Sequence, residues 1–371
     1  MAAKYKSFLT RIFLFTNVAA ALIFLVATVA PYLNPAQWWV LSFAGLGFVI
    51  VFVLLILFLL FWIIVYPRYA LISLVTLLIG WKAISVFFAF QSPGRFNYDK
   101  PKQTLRVVSW NLARFIELKR NNNKGSQTRL KMIDLIREQK ADVLCFQEFF
   151  HSTDPDFYNN VDTLRSLGFP YFYYSWDSDG KDQWFGQAIF SKHPIIDSGR
   201  VYYPPPSSPE SLINADILFN GDTIRIFTTH LQSVQFKKED YRSIQEIKNR
   251  DDSLLQNSRS ISSKLKRGFI FRAQQADVAK QVISNSPHPY IITGDFNDVP
   301  NTYTYFTIRG QLQDAFLKKG FGIGRTYSGI SPTLRIDYIL ATKDFEVMQF
   351  NRHVKNYSDH YMLVADLQLK K

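Results

Sequence analysis

Apolar runs in the chain repeatedly end in a residue able to hold a metal ion or a phosphate group. Val107-Val-Ser-Trp110 ends in Asn111, and Val143-Leu-Cys-Phe146 ends in Gln147-Glu148. Ile224-Arg-Ile-Phe-Thr-Thr229 ends in His230, and Ile291-Ile-Thr-Gly294 leads to Asp295-Phe-Asn297. Towards the C-terminus stand Arg335-Ile-Asp337-Tyr338 and Ser358-Asp359-His360. Taken singly, an Asp or Asn after a strand is usually a turn residue bonding its own backbone, and a lone His is usually a satisfied structural group. Six such endings in order are more than unrelated turns account for. Where strands share a sheet, ligands gather at the loops beyond their ends.

Strands must therefore carry these residues to one place. Residues 105–110 read as a strand. Residues 128–139 have helical spacing through Leu130, Ile133, Leu135 and Ile136, and 141–146 form a second apolar run of strand length. Strand, helix and strand predict an α/β unit. Further strands are expected at 187–191, 216–219, 223–229, 290–293, 336–341 and 362–368. Residues 237–266, rich in Lys, Arg, Ser, Gln and Asp, read as a solvated helical excursion before a helix at 273–283. There is no internal repeat in this part.

The average composition of the 371 residues, 47% hydrophobic with a mean hydropathy of −0.05, conceals two materials joined near Pro93. No acidic residue precedes Asp99, and residues 1–94 hold only five basic ones, Lys4, Lys6, Arg11, Arg68 and Lys82. The remainder carries 38 basic and 30 acidic residues, a net charge of +8. A wholly soluble protein is excluded. The single cysteine, Cys145, excludes a disulfide-built one. Residues 12–33, 38–66 and 69–90 are apolar stretches long enough to cross about 30 Å of hydrocarbon at about 1.5 Å per residue. Trp38, Trp39, Trp62, Tyr66 and Tyr69 sit near their ends, where amphipathic rings favour the headgroups. No Ala-x-Ala site closes the first stretch, so an uncleaved anchor is expected over residues 1–92, with a linker at 93–103 and a globular domain at 104–371. Lys4, Lys6, Arg11 and Arg68 favour a cytoplasmic N-terminus, and three spans then leave the domain outside. In a bacterium this is an inner-membrane protein with a periplasmic domain. Lys82, inside the third stretch, is read as snorkelling to the outer interface beside Trp81.

The ordered set Ser109-Trp-Asn111-Leu, Phe146-Gln-Glu148, Thr229-His230-Leu, Gly294-Asp295-Phe-Asn297, Arg335-Ile-Asp337-Tyr338 and Ser358-Asp359-His360 resembles the endonuclease/exonuclease/phosphatase superfamily. Its members include pancreatic-type deoxyribonucleases, abasic-site endonucleases, neutral sphingomyelinases and inositol polyphosphate phosphatases. The resemblance covers residues 104–369 and is more specific for chemistry than for substrate. It implies an α/β fold of the α+β kind, a two-sheet β-sandwich flanked by helices, here preceded by an all-helical transmembrane region of three spans. The activity it implies is hydrolysis of phosphate esters with Mg²⁺, for which Mn²⁺ can substitute.

Glu148, Asn111 and Asp359 would serve the metal; a hard carboxylate suits a cation that keeps several waters. His230, Asp295, Asn297, Asp337 and His360 would be catalytic, with Asn111, Asn297 and His230 also touching substrate. In this reading His360 binds the scissile phosphate or acts as general base, Asp337 orients its imidazole, Asp295 takes a proton from water and Asn297 donates to a phosphate oxygen. One departure stands out. Secreted deoxyribonucleases pair the histidine at the Thr-His-Leu position with a glutamate, whereas the comparable stretch here is Gln183-Trp-Phe-Gly186.

Nucleic acid is the leading substrate expectation, because a basic field attracts polyphosphates and Lys237, Lys238, Lys264, Lys266 and Arg267 follow His230. The alternatives are a phospholipid phosphodiesterase or inositol-phosphate-type phosphatase, favoured by the membrane anchor, and a non-catalytic tethered binding module. The bilayer is the expected partner, and no protein partner is. Tyr171-Phe-Tyr-Tyr174 and Trp184 are read as core aromatics or as a stacking surface, and His151, His193, His288 and His353 as surface or structural.

Overall fold

Apolar sequence interrupted by glycine sets the N-terminal helices. In the computed structural model, which describes residues 2–91, 94–121, 124–204, 210–234 and 254–370 (without the side chains of 2–7 and 254–258), the chain opens with α1 (Ala2–Val29). α2 (Pro35–Leu46) is capped by Asn34, whose Oδ1 accepts the Ala36 N–H at 2.8 Å. α3 (Phe48–Val65), α4 (Pro67–Ile79) and α5 (Trp81–Phe87) follow. Two helices, Phe8–Tyr32 and Phe48–Val65, are long and apolar enough to cross a membrane; α4 and α5, bent by 63°, make a third when counted as one span. The stretch expected as a single span over 38–66 is thus two helices, broken at Gly47. The third bends at Gly80, where a Cβ would lie 2.2 Å from the Phe24 ring. Glycine there lets α1 approach, and the ladder gives way at the same point.

Beyond α5, β1 (Ala89–Phe90) pairs antiparallel with β12 (Phe321–Gly322). A seven-stranded sheet contains β2 (Thr104–Asn111), β3 (Val143–Ser152), β4 (Tyr171–Tyr174), β5 (Asp177–Gly180), β6 (Gln183–Ser191), β14 (Phe345–His353) and β15 (Met362–Leu369), in the order β14-β15-β2-β3-β6-β4 with β5 beside β6. A six-stranded sheet contains β7 (Ile195–Tyr202), β8 (Ser211–Phe219), β9 (Asp222–His230), β10 (Tyr290–Asp295), β11 (Gln313–Asp314) and β13 (Asp337–Ala341), in the order β11-β13-β10-β9-β8-β7. Leu105, Val107, Val143 and Ile189 meet Ile213, Ile226, Ile291 and Ile339 between the sheets. The alternate residues, Val108, Trp110, Leu144 and Phe146, pack under α6 (Thr128–Glu138) and α7 (Asn160–Ser166). On the opposite side Phe227, Ile292 and Leu340 pack against Ala276, Ala279 and Ile283 of α8 (Leu254–Ser284) and Tyr305 of α9 (Tyr303–Arg309). Both faces of the central strands are covered, which is why their sequences read as unbroken apolar runs. The architecture is the expected α/β two-sheet sandwich flanked by helices.

The globular part sits directly on the helices rather than hanging from a tether. Asn301 Nδ2 donates to the Ala27 carbonyl at 2.8 Å, and Arg335 to the Val86 carbonyl at 2.6 Å. Phe43 meets Phe269 edge-on at 5.4 Å, and Tyr32 meets Phe306 at 5.3 Å. Lys82 lies at this junction, its Nζ 5.1 Å from the Tyr32 ring centre. The expected solvated excursion is corrected where it is described. Residues from Leu254 onward are the first half of α8, and Ile261 and Leu265 are half-buried because apolar residues recur every fourth position through Phe269.

Candidate active site

Strand register places three of the expected residues side by side. β9 and β10 are parallel with Asp295 opposite His230, and β10 and β13 are antiparallel with Asp295 opposite Asp337. The adjacent Gly294 has φ +141°, and a Cβ there would lie 2.0 Å from the Thr229 carbonyl oxygen. Only glycine permits the two strands this contact. The other sheet supplies Asn111 at the end of β2 and Glu148 at an irregularity in β3, between Phe146 and Phe149, with φ +50°. Such a kink re-aims a side chain out of the alternation. Asp359 and His360 stand on the approach to β15, where the Trp110 indole N–H donates to the His360 carbonyl at 2.9 Å.

These side chains form one network. His360 Nδ1 lies 3.0 and 3.1 Å from the two Asp337 carboxylate oxygens, and its Nε2 lies 3.5 Å from Asp295 Oδ2. That same Asp295 oxygen accepts from Asn111 Nδ2 at 3.1 Å and stands 3.7 Å from His230 Nε2. Its other oxygen accepts the Asn297 backbone N–H at 2.8 Å. Asn111 turns its amide nitrogen, not its oxygen, towards Glu148 at 3.4 Å, because Oδ1 accepts the Ala113 N–H at 3.0 Å. Asn297 Nδ2 donates to the Leu231 carbonyl at 2.9 Å, fastening the Asp295 loop to the end of β9. Burial alone would hold the His360 imidazole below its ordinary value, but the Asp337 and Asp295 carboxylates overcome it and lift it to about 10. Asp295 is raised, first by burial and then by Asp337, against the pull of His360 and His230.

Glu148, His230, Asp295, Asn297, Asp359 and His360 line one cavity of about 410 Å³; Asn111 and Asp337 stand behind its wall, bonded to Asp295 and His360. All eight expected residues are therefore brought together. Half-exposed Glu148 and exposed Asp359 present oxygen donors to open space, which suits a hard divalent cation that keeps waters. Asp295, Asp337 and His360 also lie within 4.8 Å of one another in their ligand atoms. Their nearest atoms are already spent on the Asp337–His360 hydrogen bond and all three are buried, so that group fits a proton relay better than a cation.

Several supporting residues had no signal in the sequence. Thr326 Oγ1 accepts the Ile336 and Asp337 N–H groups at 2.9 and 3.1 Å, and the Tyr327 ring lies 5.0 Å from the His360 ring. Gln147, which the sequence did place beside Glu148, donates through Nε2 to Thr228 Oγ1 at 2.7 Å across the sandwich. Leu46, from the N-terminal apolar helices, lines the same cavity. Among the basic residues expected beside the site, Lys237 and Lys238 lie outside the described residues, while Lys266 rests on the Trp39 ring at 4.5 Å. Tyr174 is buried with its hydroxyl donating to the Phe149 carbonyl at 2.9 Å, and Trp184 stacks on His151. Tyr174 is a core aromatic and half-buried Trp184 packs on the same core, while Tyr171 is exposed.

No curated protein matches the sequence. A family profile described as a domain of unknown function matches residues 10–87. Among solved structures the chain is similar to an endonuclease/exonuclease/phosphatase from Beutenbergia cavernae (18% identity, 72% of each chain covered, TM-score 0.49). It is also similar to the human Nocturnin catalytic domain (16% identity, 73% of this chain and 96% of that one, TM-score 0.49). A third is an endonuclease/exonuclease/phosphatase family protein from Bacteroides thetaiotaomicron (18% identity, 71% and 97%, TM-score 0.47). The profile of the endonuclease/exonuclease/phosphatase family, whose members hydrolyse phosphoesters with a divalent metal, matches residues 108–360. With more than half of its length so matched, and with the motif residues gathered around one cavity, this chain belongs to the endonuclease/exonuclease/phosphatase family.

Proposed function

We propose that the protein is a membrane-anchored, Mg²⁺-dependent phosphoester hydrolase. The observation that carries the reading is the Asp337–His360–Asp295 line facing Glu148 and Asp359 across one cavity. Glu148 and Asp359 would hold the cation, with Asn111 steadying Glu148 through its amide nitrogen. Bound there, the cation supplies charge neutralisation on the phosphoryl oxygens and lowers the cost of ionising water. His360, lifted to about 10, is an imidazolium at neutral pH. It donates Nδ1–H to Asp337 and offers Nε2–H to a phosphate oxygen, so it binds and stabilises rather than acts as the base. Asp295, with its raised carboxyl, takes the proton as the water oxygen bonds to phosphorus. The bond from phosphorus to one ester oxygen breaks, and that oxygen leaves as a hydroxyl with a proton delivered from His230. Asn297 holds Asp295 in place through its backbone N–H.

Contacts between the helices and the globular part support an orientation. Tyr32, Gly45 and Lys82 lie against the globular part, at the helix ends opposite Arg11 and Arg68. With basic ends in the cytoplasm, the domain faces the periplasm of a bacterial inner membrane, and a C-terminal alkaline phosphatase fusion is then active. The nuclease reading retains the +8 charge as its support. At the cavity, however, the one Lys or Arg among the described residues is Arg272, 1% exposed and paired with Asp298 at 3.2 Å.

The experiment is turnover of bis(4-nitrophenyl) phosphate by the full chain in detergent with Mg²⁺. Activity abolished by EDTA and by His360→Ala supports the reading. An inert wild-type protein would leave only the tethered binding module.

A further inference from the structure

The cavity has two kinds of lining. Besides the acidic and histidine residues it carries an aliphatic set, Leu46, Ile261, Leu265, Val299, Ile330 and Leu334, with the Phe269 and Tyr327 rings. Leu46 is the last residue of α2, two positions before Phe48 opens a membrane-length helix. Val299, four residues after Asp295, and Ile336, beside Asp337, share one apolar cluster with Phe24, Phe48 and Phe87 of the membrane helices. The catalytic loops therefore rest on the bundle itself. Around the same junction Trp38 is 53%, Trp81 57%, Phe90 61% and Phe321 65% exposed, with Phe90 and Phe321 opposite each other in the β1–β12 pair. Exposed rings at the ends of apolar helices match the headgroup level of a bilayer. Together these place the cavity at the membrane surface.

We propose that the substrate is a lipid phosphoester drawn from the bilayer, its phosphate at Glu148, His230 and His360 and its hydrocarbon on the aliphatic wall. The one Lys or Arg among the described residues lining the cavity, Arg272, is already spent on Asp298, which leaves a polyanion little basic surface to bind; the aliphatic residues offer burial to a chain of methylenes. The inference rests on the phosphoester-hydrolase reading and names the substrate of that same site.

The test uses the full chain in mixed micelles with Mg²⁺ and a series of 4-nitrophenyl alkyl phosphates from ethyl to hexadecyl. In wild type kcat/KM rises by about three- to fourfold per methylene over the first several, then levels off. Leu265→Gln and, separately, exposed Ile330→Gln lower the hexadecyl-to-ethyl ratio about tenfold. Micelle partitioning is the same for all proteins, so the fall in ratio reads the wall. Two results overturn the inference while leaving the chemistry standing: ethyl and hexadecyl esters turned over equally by wild type, or both variants keeping the wild-type ratio. Supercoiled plasmid nicked faster than any ester is hydrolysed overturns it in favour of nucleic acid. Turnover of none of these substrates overturns the hydrolase reading itself.

Discussion

Asp337→Asn isolates the part of the site that charges His360. The carboxylate lies 3.0 and 3.1 Å from Nδ1 and is buried with it, so the amide keeps the volume and loses the charge. An amide that turns its NH₂ towards Nδ1 also selects the wrong tautomer. Losing Asp337 removes the leading carboxylate field that lifts His360, while Asp295 and Asp359 still act on it, so its pKa moves down from about 10. Stripping one member from a buried pair costs about 3–5 kcal/mol, of which the lower figure is taken. If the transition state needs the imidazolium, about 3 kcal/mol alone lowers kcat by more than a hundredfold. The assay is initial rate against pH with a chromogenic phosphodiester and the full chain in detergent. Wild type holds its activity through pH 8. The variant is slow throughout, and its residual activity falls off at a lower pH than that of wild type, because the imidazole without Asp337 loses its proton earlier. A variant within tenfold of wild type at pH 8 would refute the assignment of His360 as a charged phosphate-binding group.

Glu148→Gln keeps the fold, because this side chain is half-exposed, and weakens Mg²⁺ binding by about 100-fold or more in calorimetric titration of the full chain; unchanged affinity would move the cation elsewhere. Gly294→Ala forces a side chain into a positive-φ position against the Thr229 carbonyl and costs about 2–4 kcal/mol, read as a lower unfolding midpoint. Burial, helped by Lys355, lowers His353 to about 4, so the unfolded chain takes up its proton first. Its contribution to stability is whole above pH 6.5 and drains away as pH falls towards 4; His353→Gln flattens that limb of the stability profile.

The eight polar residues were legible in the sequence because Asn111, Glu148, His230, Asp295 and Asn297 follow apolar runs, and because Asp337, Asp359 and His360 complete an ordered set of short motifs, local features that need no tertiary contact. The paired sheets were legible in outline for the same reason: central strands such as β2 and β10 are buried on both faces and read as continuous apolar runs. β7 and β14, on sheet edges and carrying Asp197, Ser198, Asn351 and Arg352, lacked that pattern and gave no strand signal. Gly47 and Gly80 were visible as letters, yet hydropathy averages over a window and passes through a break. Only packing shows that Phe24 fills the place of a side chain at Gly80. The distribution of roles was likewise beyond sequence. Whether His360 is a base or a cation depends on the carboxylates of Asp295 and Asp337, 65 and 23 positions earlier in the chain, whose closeness to it in space is not encoded by spacing along the chain. No local pattern linked Leu46 to Asp295 either. That they line one cavity follows from the way the globular part lies on the helices, and a contact of that range belongs to the tertiary structure alone.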